Sequence, residues 1–209
     1  MAQTNSNSVS LAGEFAVLSQ LALRGYDANM TLGRTKAVDI LVSNPKTLRM
    51  YKVEVKTNYR TSRDEPKLSK LHGRTVSQWI MNEKHERLED PDLFYCFVNI
   101  GKPTNEFKFY LVPSSVVARY VKEEHALWLN AKRPKGRKVK DNEIRMFRLG
   151  LQGERYAIRT PTAQRYENNW SFESNGSPVG RTQAESSRAL KHLAVLCRGA
   201  GSGGSGAER

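Results

Sequence analysis

The sequence predicts an α/β (α+β) domain built on a central mixed sheet flanked by helices. Segments of period two alternate along the chain with segments of helical spacing, which is the pattern of a sheet with helices on its faces. The run Leu93-Phe94-Tyr95-Cys96-Phe97-Val98-Asn99-Ile100 is almost continuously apolar and suits a strand covered on both sides. Near the N-terminus, Leu11, Phe15, Leu18 and Leu21 recur at steps of four, three and three, an apolar stripe on one helix.

That first helix is expected over Ser10 to Arg24, with Ser10 as N-cap and Gly25 as its stop. Ala37 to Ser43 is short, branched and closed by Asn44-Pro45, so it reads as a strand and turn. Thr47 to Thr57 is a second strand. On it, Tyr51, Val53, Val55 and Thr57 share one face while Lys52, Glu54 and Lys56 share the other. A break in the alternation near Met50 suggests a bulge. Residues 58–73 are polar and basic, an exposed excursion. Thr75 to Leu88 reads as a helix with Val76, Ile80 and Leu88 toward the core. The apolar strand at 93–100 turns through Gly101-Lys102-Pro103-Thr104 into Glu106 to Val112, a hairpin-like pair. Pro113-Ser114-Ser115 then opens a helix carrying Val116, Val117 and Tyr120 toward Leu129. The predicted order is helix, strand, strand, helix, strand, strand, helix.

Composition narrows the function. The 209 residues hold 34 Lys+Arg against 21 Asp+Glu, a formal net charge of +13, which favours an anionic partner, nucleic acid first. No run is apolar and long enough for a membrane span. The opening Met-Ala-Gln-Thr-Asn-Ser lacks the basic start and apolar core of a secretory signal, so a cytoplasmic protein is expected. Cys96 and Cys197 are too few for a disulfide scaffold or a cysteine zinc site. Residues 131–140 gather Lys132, Arg133, Lys135, Arg137, Lys138 and Lys140 around Pro134 and Gly136. They form either a solvated loop or a track for a phosphate backbone, and so many bases with so few acids favour the track. Arg60, Arg63, Lys67, Lys70 and Arg74 are expected to do the same from another side. The domain spans 1–172. A polar tail follows over 173–209, with an amphipathic segment at 185–196 and a Gly/Ser run at 199–206 that reads as a linker.

A few acids stand apart from the surplus of bases. Asp39 lies inside an apolar strand, Glu54 and Lys56 lie on one face of the next, and Glu14 lies on the apolar side of the first helix. Each has an ordinary reading: Glu54 and Lys56 as a solvated strand face, Asp39 paired with Lys36 or Arg34, Glu14 as an acid near a helix N-terminus. Together they suggest more. A carboxylate within an apolar strand is costly unless paired or metal-bound. Adjacent strands can bring Asp39 and Glu54 together, and with the Val55 backbone carbonyl they would make a hard oxygen site for Mg²⁺ or Mn²⁺. Lys56 could then orient an attacking water or help deprotonate it.

Gly13-Glu14-Phe15, Val38-Asp39-Ile40 and Glu54-Val55-Lys56, with fourteen residues between Asp39 and Glu54, resemble the PD-(D/E)xK nuclease superfamily. The stretch Thr31-Leu32-Gly33-Arg34-Thr35-Lys36 resembles the polar, glycine-containing approach of its resolvase-like members. Val38 departs from the proline in the family's name, but the Asp is the chemical participant. The resemblance implies a restriction-endonuclease-like fold and Mg²⁺-dependent cleavage of DNA. Asp39 and Glu54 would be direct metal ligands, Glu14 would act through water, and Lys56 would place the nucleophilic water. It also implies a homodimer, since duplex-cutting members often pair. In related nucleases a polar residue of the following helix completes the site; Gln78, Lys84 and His85 are the candidates here, with Ser77, Lys84 and Leu88 sharing a face better than Gln78 and Lys84. Arg34, Lys36 and Lys84 join the basic residues expected on DNA. Surface placement is the default for His85, core packing for Trp79, and a buried small hydrophobe for Cys96. His72, His125 and His192 lack metal-ligand spacing. The rival readings are a non-catalytic basic nucleic-acid-binding module on a nuclease-like fold and a ribosome-associated structural protein.

Overall fold

The computed structural model describes residues 5–31, 38–61, 68–69, 71–131 and 139–172. The chain divides into the units Met1–Ser174 and Asn175–Arg209, and the described residues all belong to the first. The tail segment expected at 185–196 and the Gly/Ser run lie outside the described residues.

A helix, α1 (Ser6–Ala22), is followed by strands β1 (Asp27–Met30), β2 (Ile40–Asn44), β3 (Arg49–Thr61) and β4 (Thr75–Asn82), then a 3-10 turn (Glu83–Glu86). Strands β5 (Leu93–Lys102) and β6 (Glu106–Pro113), helix α2 (Ser114–Asn130), strand β7 (Ile144–Gly150) and a one-turn helix α3 (Ala163–Tyr166) complete it. The central five-stranded sheet runs β1-β2-β3-β5-β6, and β4 pairs with β7 in a separate two-stranded sheet. Only the β3–β5 pair is parallel, so the sheet is mixed, as expected. A parallel neighbour requires a crossover, and β4 with the 3-10 turn supplies it. Among the described residues no helix is long and apolar enough to cross a membrane.

Strand β5 explains the layering. Phe94, Cys96, Val98 and Ile100 face one core with Val17 and Leu21 of α1 and Val53 and Val55 of β3. Leu93, Tyr95 and Phe97 face a second core with Trp79, Phe147, Tyr120 and Val121. Alternation along one continuously apolar strand thus joins two cores, and burial pushes the Cys96 thiol's ionisation up. Phe97 and Phe147 stack at 4.3 Å between ring centres, and Trp79 Nε1 donates to the Val98 carbonyl at 3.3 Å.

Several expectations are corrected. The first helix begins at Ser6, capped by Asn5, whose Oδ1 accepts from the Ser8 N–H at 2.8 Å; Ser10 lies within the helix. Gly25, at φ +78°, does follow its end in the left-handed region that favours glycine. The helix is also rotated from its apolar stripe. Leu11 and Phe15 are 47% and 53% exposed, while Gly13, Val17 and Leu21 are buried against the sheet. Sterics override hydrophobicity here: a Cβ on Gly13 would lie 1.9 Å from Thr57 Oγ1, so only glycine lets α1 settle onto β3. Residues 75–82 form a strand rather than the start of a helix. Val76 and Ile80 are four apart and mimic a helical stripe, yet Ile80 is 71% exposed, and Ser77, Trp79 and Met81 point inward with period two. The β2–β3 register runs unbroken through Met50↔Ser43, without the expected bulge. Strands β1 and β7 were not expected.

Replacing Gly13 with alanine in a helix ordinarily stabilises by roughly 1 kcal/mol. Here Gly13→Ala is expected to cost about 1–3 kcal/mol in urea unfolding, because the methyl meets Thr57. A neutral or stabilised variant would show that α1 moves outward freely.

Candidate active site

The site forms where β2 leaves β3. Their pairing ends at Ile40↔Val53, while β3 continues to Thr61 beside β5 alone. Asp39, just before β2, occupies the opening. Its N–H donates to the Val53 carbonyl at 2.9 Å, and its own carbonyl accepts from the Thr31 N–H at 2.9 Å. Its carboxylate Oδ2 accepts from the Val55 N–H at 2.7 Å, a bond the departing strand would otherwise have supplied. In an extended strand the N–H and C=O of one residue point the same way, so the Val55 carbonyl faces Asp39 as well.

Glu54 and Lys56 project from the face of β3 opposite Val53 and Val55. Glu54 is 3% exposed, and its Oε1 takes the Lys56 ammonium at 2.6 Å and His85 Nε2 at 3.4 Å. Its Oε2 is buried without a hydrogen-bond partner. Burial works against the Glu54 charge, but the His85 hydrogen bond and the Lys56 ammonium outweigh it and hold the carboxyl at about 2. Tyr95, register partner of Glu54 on β5, is buried beside it; burial first, and the Glu54 charge second, push its ionisation up.

Glu14 reaches the opening from α1. Burial first, then the Asp39 charge, raise its pKa against the pull of Lys56. Asp39 is likewise raised, chiefly by burial and further by Glu54; the Val55 N–H, Lys56 and Lys84 oppose the shift. The residues predicted from sequence, Glu14, Asp39, Glu54 and Lys56, thus share one electrostatic neighbourhood. Lys84 joins it from the 3-10 turn.

The other predicted residues fall variously. His85, expected on the surface, is 2% exposed and touches Glu54. Gln78 turns away: its Oε1 accepts from Arg148 Nε at 3.2 Å, beside the buried Arg148–Glu124 pair. Ser77 is buried and donates to Asn99 Oδ1, and Leu88 packs against the second core. Arg60 is exposed and donates to the Gln78 carbonyl at 3.1 Å, while Arg74 lies 3.9 Å from Glu154. Lys140 is exposed. Arg34, Lys36, Arg63, Lys67, Lys70, Lys132, Arg133, Lys135, Arg137 and Lys138 lie outside the described residues. His72 pairs with Glu124 at 3.5 Å and His125 with Asp141 at 2.7 Å, both remote in sequence from the site.

Among the described residues, no three His, Cys, Asp or Glu side chains gather closely enough to enclose an ion by themselves. A cation here would draw on two carboxylates and a backbone carbonyl, with water or phosphate for the rest. That sparse set suits Mg²⁺, which keeps several waters when bound. Burial first, then the Asp39 charge on Glu14 and the Glu54 charge on Asp39, raise these two carboxylates, so a cation beside them would relieve both.

No family model and no curated protein matches the chain. Among solved structures, that of a bacterial homing endonuclease, I-Ssp6803I, matches at 14% identity and a TM-score of 0.42, over 91% of this chain and 99% of that one.

The shifts fix two pH effects of opposite sign. Because Asp39 is raised above 3.8, its charge costs the folded state at neutral pH. Asp39→Asn is therefore expected to raise the thermal midpoint by a few degrees at pH 7, an advantage that vanishes below pH 3.8. Glu54 is lowered from 4.5 to about 2, so its stabilisation is complete above 4.5 and is lost as pH falls toward 2. Glu54→Gln should be about 1–3 kcal/mol less stable at pH 7 by urea titration, with the gap closing through that acid window.

Proposed function

We propose that this chain is a Mg²⁺-dependent endonuclease that hydrolyses DNA phosphodiester bonds, with a PD-(D/E)xK-type site. The observation that carries the reading is the convergence of Asp39, Glu54, Lys56 and Glu14 at the point where β2 parts from β3. Carboxylates embedded in a chain of net charge +13 would repel a phosphate unless a cation intervened. A bare binding surface has no use for them.

Asp39, Glu54 and the Val55 carbonyl would hold the cation, with Glu14 acting through water. When bound, Mg²⁺ supplies polarisation of the phosphate and a lowered pKa for its water. The chain's own residues do the rest. Asp39 is held at three points, by the Val53 carbonyl and the Thr31 and Val55 amides, and so keeps its carboxylate at the strand edge. Lys56 carries the positive charge nearest Glu54 and would orient the attacking water and offset charge that develops on the phosphate oxygens. Lys84 adds a second positive charge on the Asp39 side. The basic residues singled out in the sequence would supply salt-sensitive affinity without sequence readout. A homodimer would carry one site to each strand of a duplex.

The deciding experiment incubates supercoiled plasmid, linear duplex, single strands and a four-way junction with Mg²⁺ or Mn²⁺. Wild type should cut at least one of them. Asp39→Ala and Lys56→Ala should each lose roughly a hundredfold or more in rate while retaining DNA affinity in a mobility shift. No cleavage by wild type with either metal leaves the non-catalytic binding module; equal cleavage by the variants removes the site assignment.

A further inference from the structure

The 3-10 turn Glu83–Glu86 is short, yet it is tied down on every side. The Glu83 N–H donates to the Glu143 carbonyl at 2.9 Å, Asn82 Oδ1 accepts from the Lys84 N–H at 3.2 Å, and Glu86 pairs with the buried Arg145. Within it, His85 Nδ1 lies against the Asn82 backbone, 2.9 Å from its nitrogen and 2.8 Å from its carbonyl oxygen. The other nitrogen, Nε2, is directed at Glu54 Oε1; an ionised carboxylate oxygen only accepts, so Nε2 carries a proton there. The Tyr95 ring meets the imidazole edge-on at 5.8 Å between centres and helps fix its plane.

A turn so anchored, carrying a buried imidazole with one nitrogen on the backbone and the other on a carboxylate, does not behave as a solvent-facing loop. Its effect falls on one atom. Glu54 Oε1 receives both the Lys56 ammonium and His85, while Oε2 and the Tyr95 hydroxyl, whose ionisation burial first and then the Glu54 carboxylate push up, are both buried with no hydrogen bond formed. A carboxylate with only one committed oxygen cannot rotate without breaking that oxygen's bonds.

We propose that His85 is a positioning residue for Glu54: by donating to Oε1 it fixes the carboxylate plane and keeps Oε2 uncommitted for a divalent cation. The inference rests on the metal-dependent reading above and adds to it a residue 31 positions away in sequence. Outer partners of metal-binding carboxylates typically contribute ten- to a hundredfold to metal affinity.

The test titrates Mn²⁺ into the DNA-free full chain, followed by calorimetry and by the spin resonance of free Mn²⁺, with thermal midpoints measured alongside. His85→Phe, which preserves bulk beside Tyr95, should weaken Mn²⁺ binding about ten- to a hundredfold, whereas His85→Gln should stay within about threefold of wild type. A purely structural histidine would lower the thermal midpoint of both variants without separating their Mn²⁺ affinities. Equal Mn²⁺ affinity of wild type and folded His85→Phe overturns the proposal. If His85→Phe does not fold, His85→Ala is titrated with and without imidazole: recovery of affinity supports the role, and no recovery overturns it. Wild type that binds no Mn²⁺ overturns both the His85 role and the metal-dependent reading. Wild type that binds Mn²⁺ with the predicted His85 dependence but cuts no DNA overturns only the nuclease reading.

Discussion

Everything at the site depends on one hydrogen bond, from the Val55 N–H to the Asp39 carboxylate. A strand that loses its neighbour midway exposes backbone donors that must find another acceptor. Here the acceptor is the side chain of the last residue before the neighbouring strand begins. A charge-assisted bond of this kind contributes about 1.5–3 kcal/mol, enough to offset part of the cost of half-burying a carboxylate. The same bond ends the β2–β3 ladder and sets a carboxylate at the gap. Through that gap, groups from both faces of the sheet come within electrostatic reach: Glu14 from the α1 side, Glu54 and Lys56 from the other.

The charges around the gap are unevenly matched, and the imbalance has chemical meaning. Glu54 is overcompensated, with an ammonium and an imidazole on one oxygen, and stays ionised far into acid. Asp39 and Glu14 are undercompensated: burial above all, with the Glu54 charge on Asp39 and the Asp39 charge on Glu14, favours their protonated forms. One carboxylate is therefore fixed in place, while two are held where additional positive charge would relieve them.

Much of this was legible in the sequence, for identifiable reasons. Strands β2, β3, β5 and β6 and helix α2 were legible because each buries enough apolar surface to impose its period. Asp39, Glu54 and Lys56 stood out because charge within apolar strands is conspicuous. The orientation of α1 was not legible, since Leu11 and Phe15 advertise a face that a single glycine overrules. Strand β4 resembles a helix in the sequence because Val76 and Ile80 fall at helical spacing, although Val76 packs against the second core and Ile80 faces out. Strand β7 was hidden by Arg145 and Arg148, which break an apolar run and are made burial-compatible by Glu86 and Glu124, with Gln78 and backbone carbonyls completing their hydrogen bonds. His85 is a candidate in the sequence, but its contact with Glu54 is not legible there, because that partner is set by the fold and not by spacing.

The two edges of β3 give the strand an uneven resistance to solvent. On the β5 side its backbone is locked into a ten-residue parallel ladder between two cores, and amides there should exchange with deuterium only when the whole domain opens. The Val55 amide is guarded by a side chain instead. Its exchange should accelerate whenever the Asp39 carboxylate is protonated or turns away, without any unfolding of the sheet. One backbone proton in the middle of a rigid strand thus becomes a native reporter on the occupancy of the site beside it.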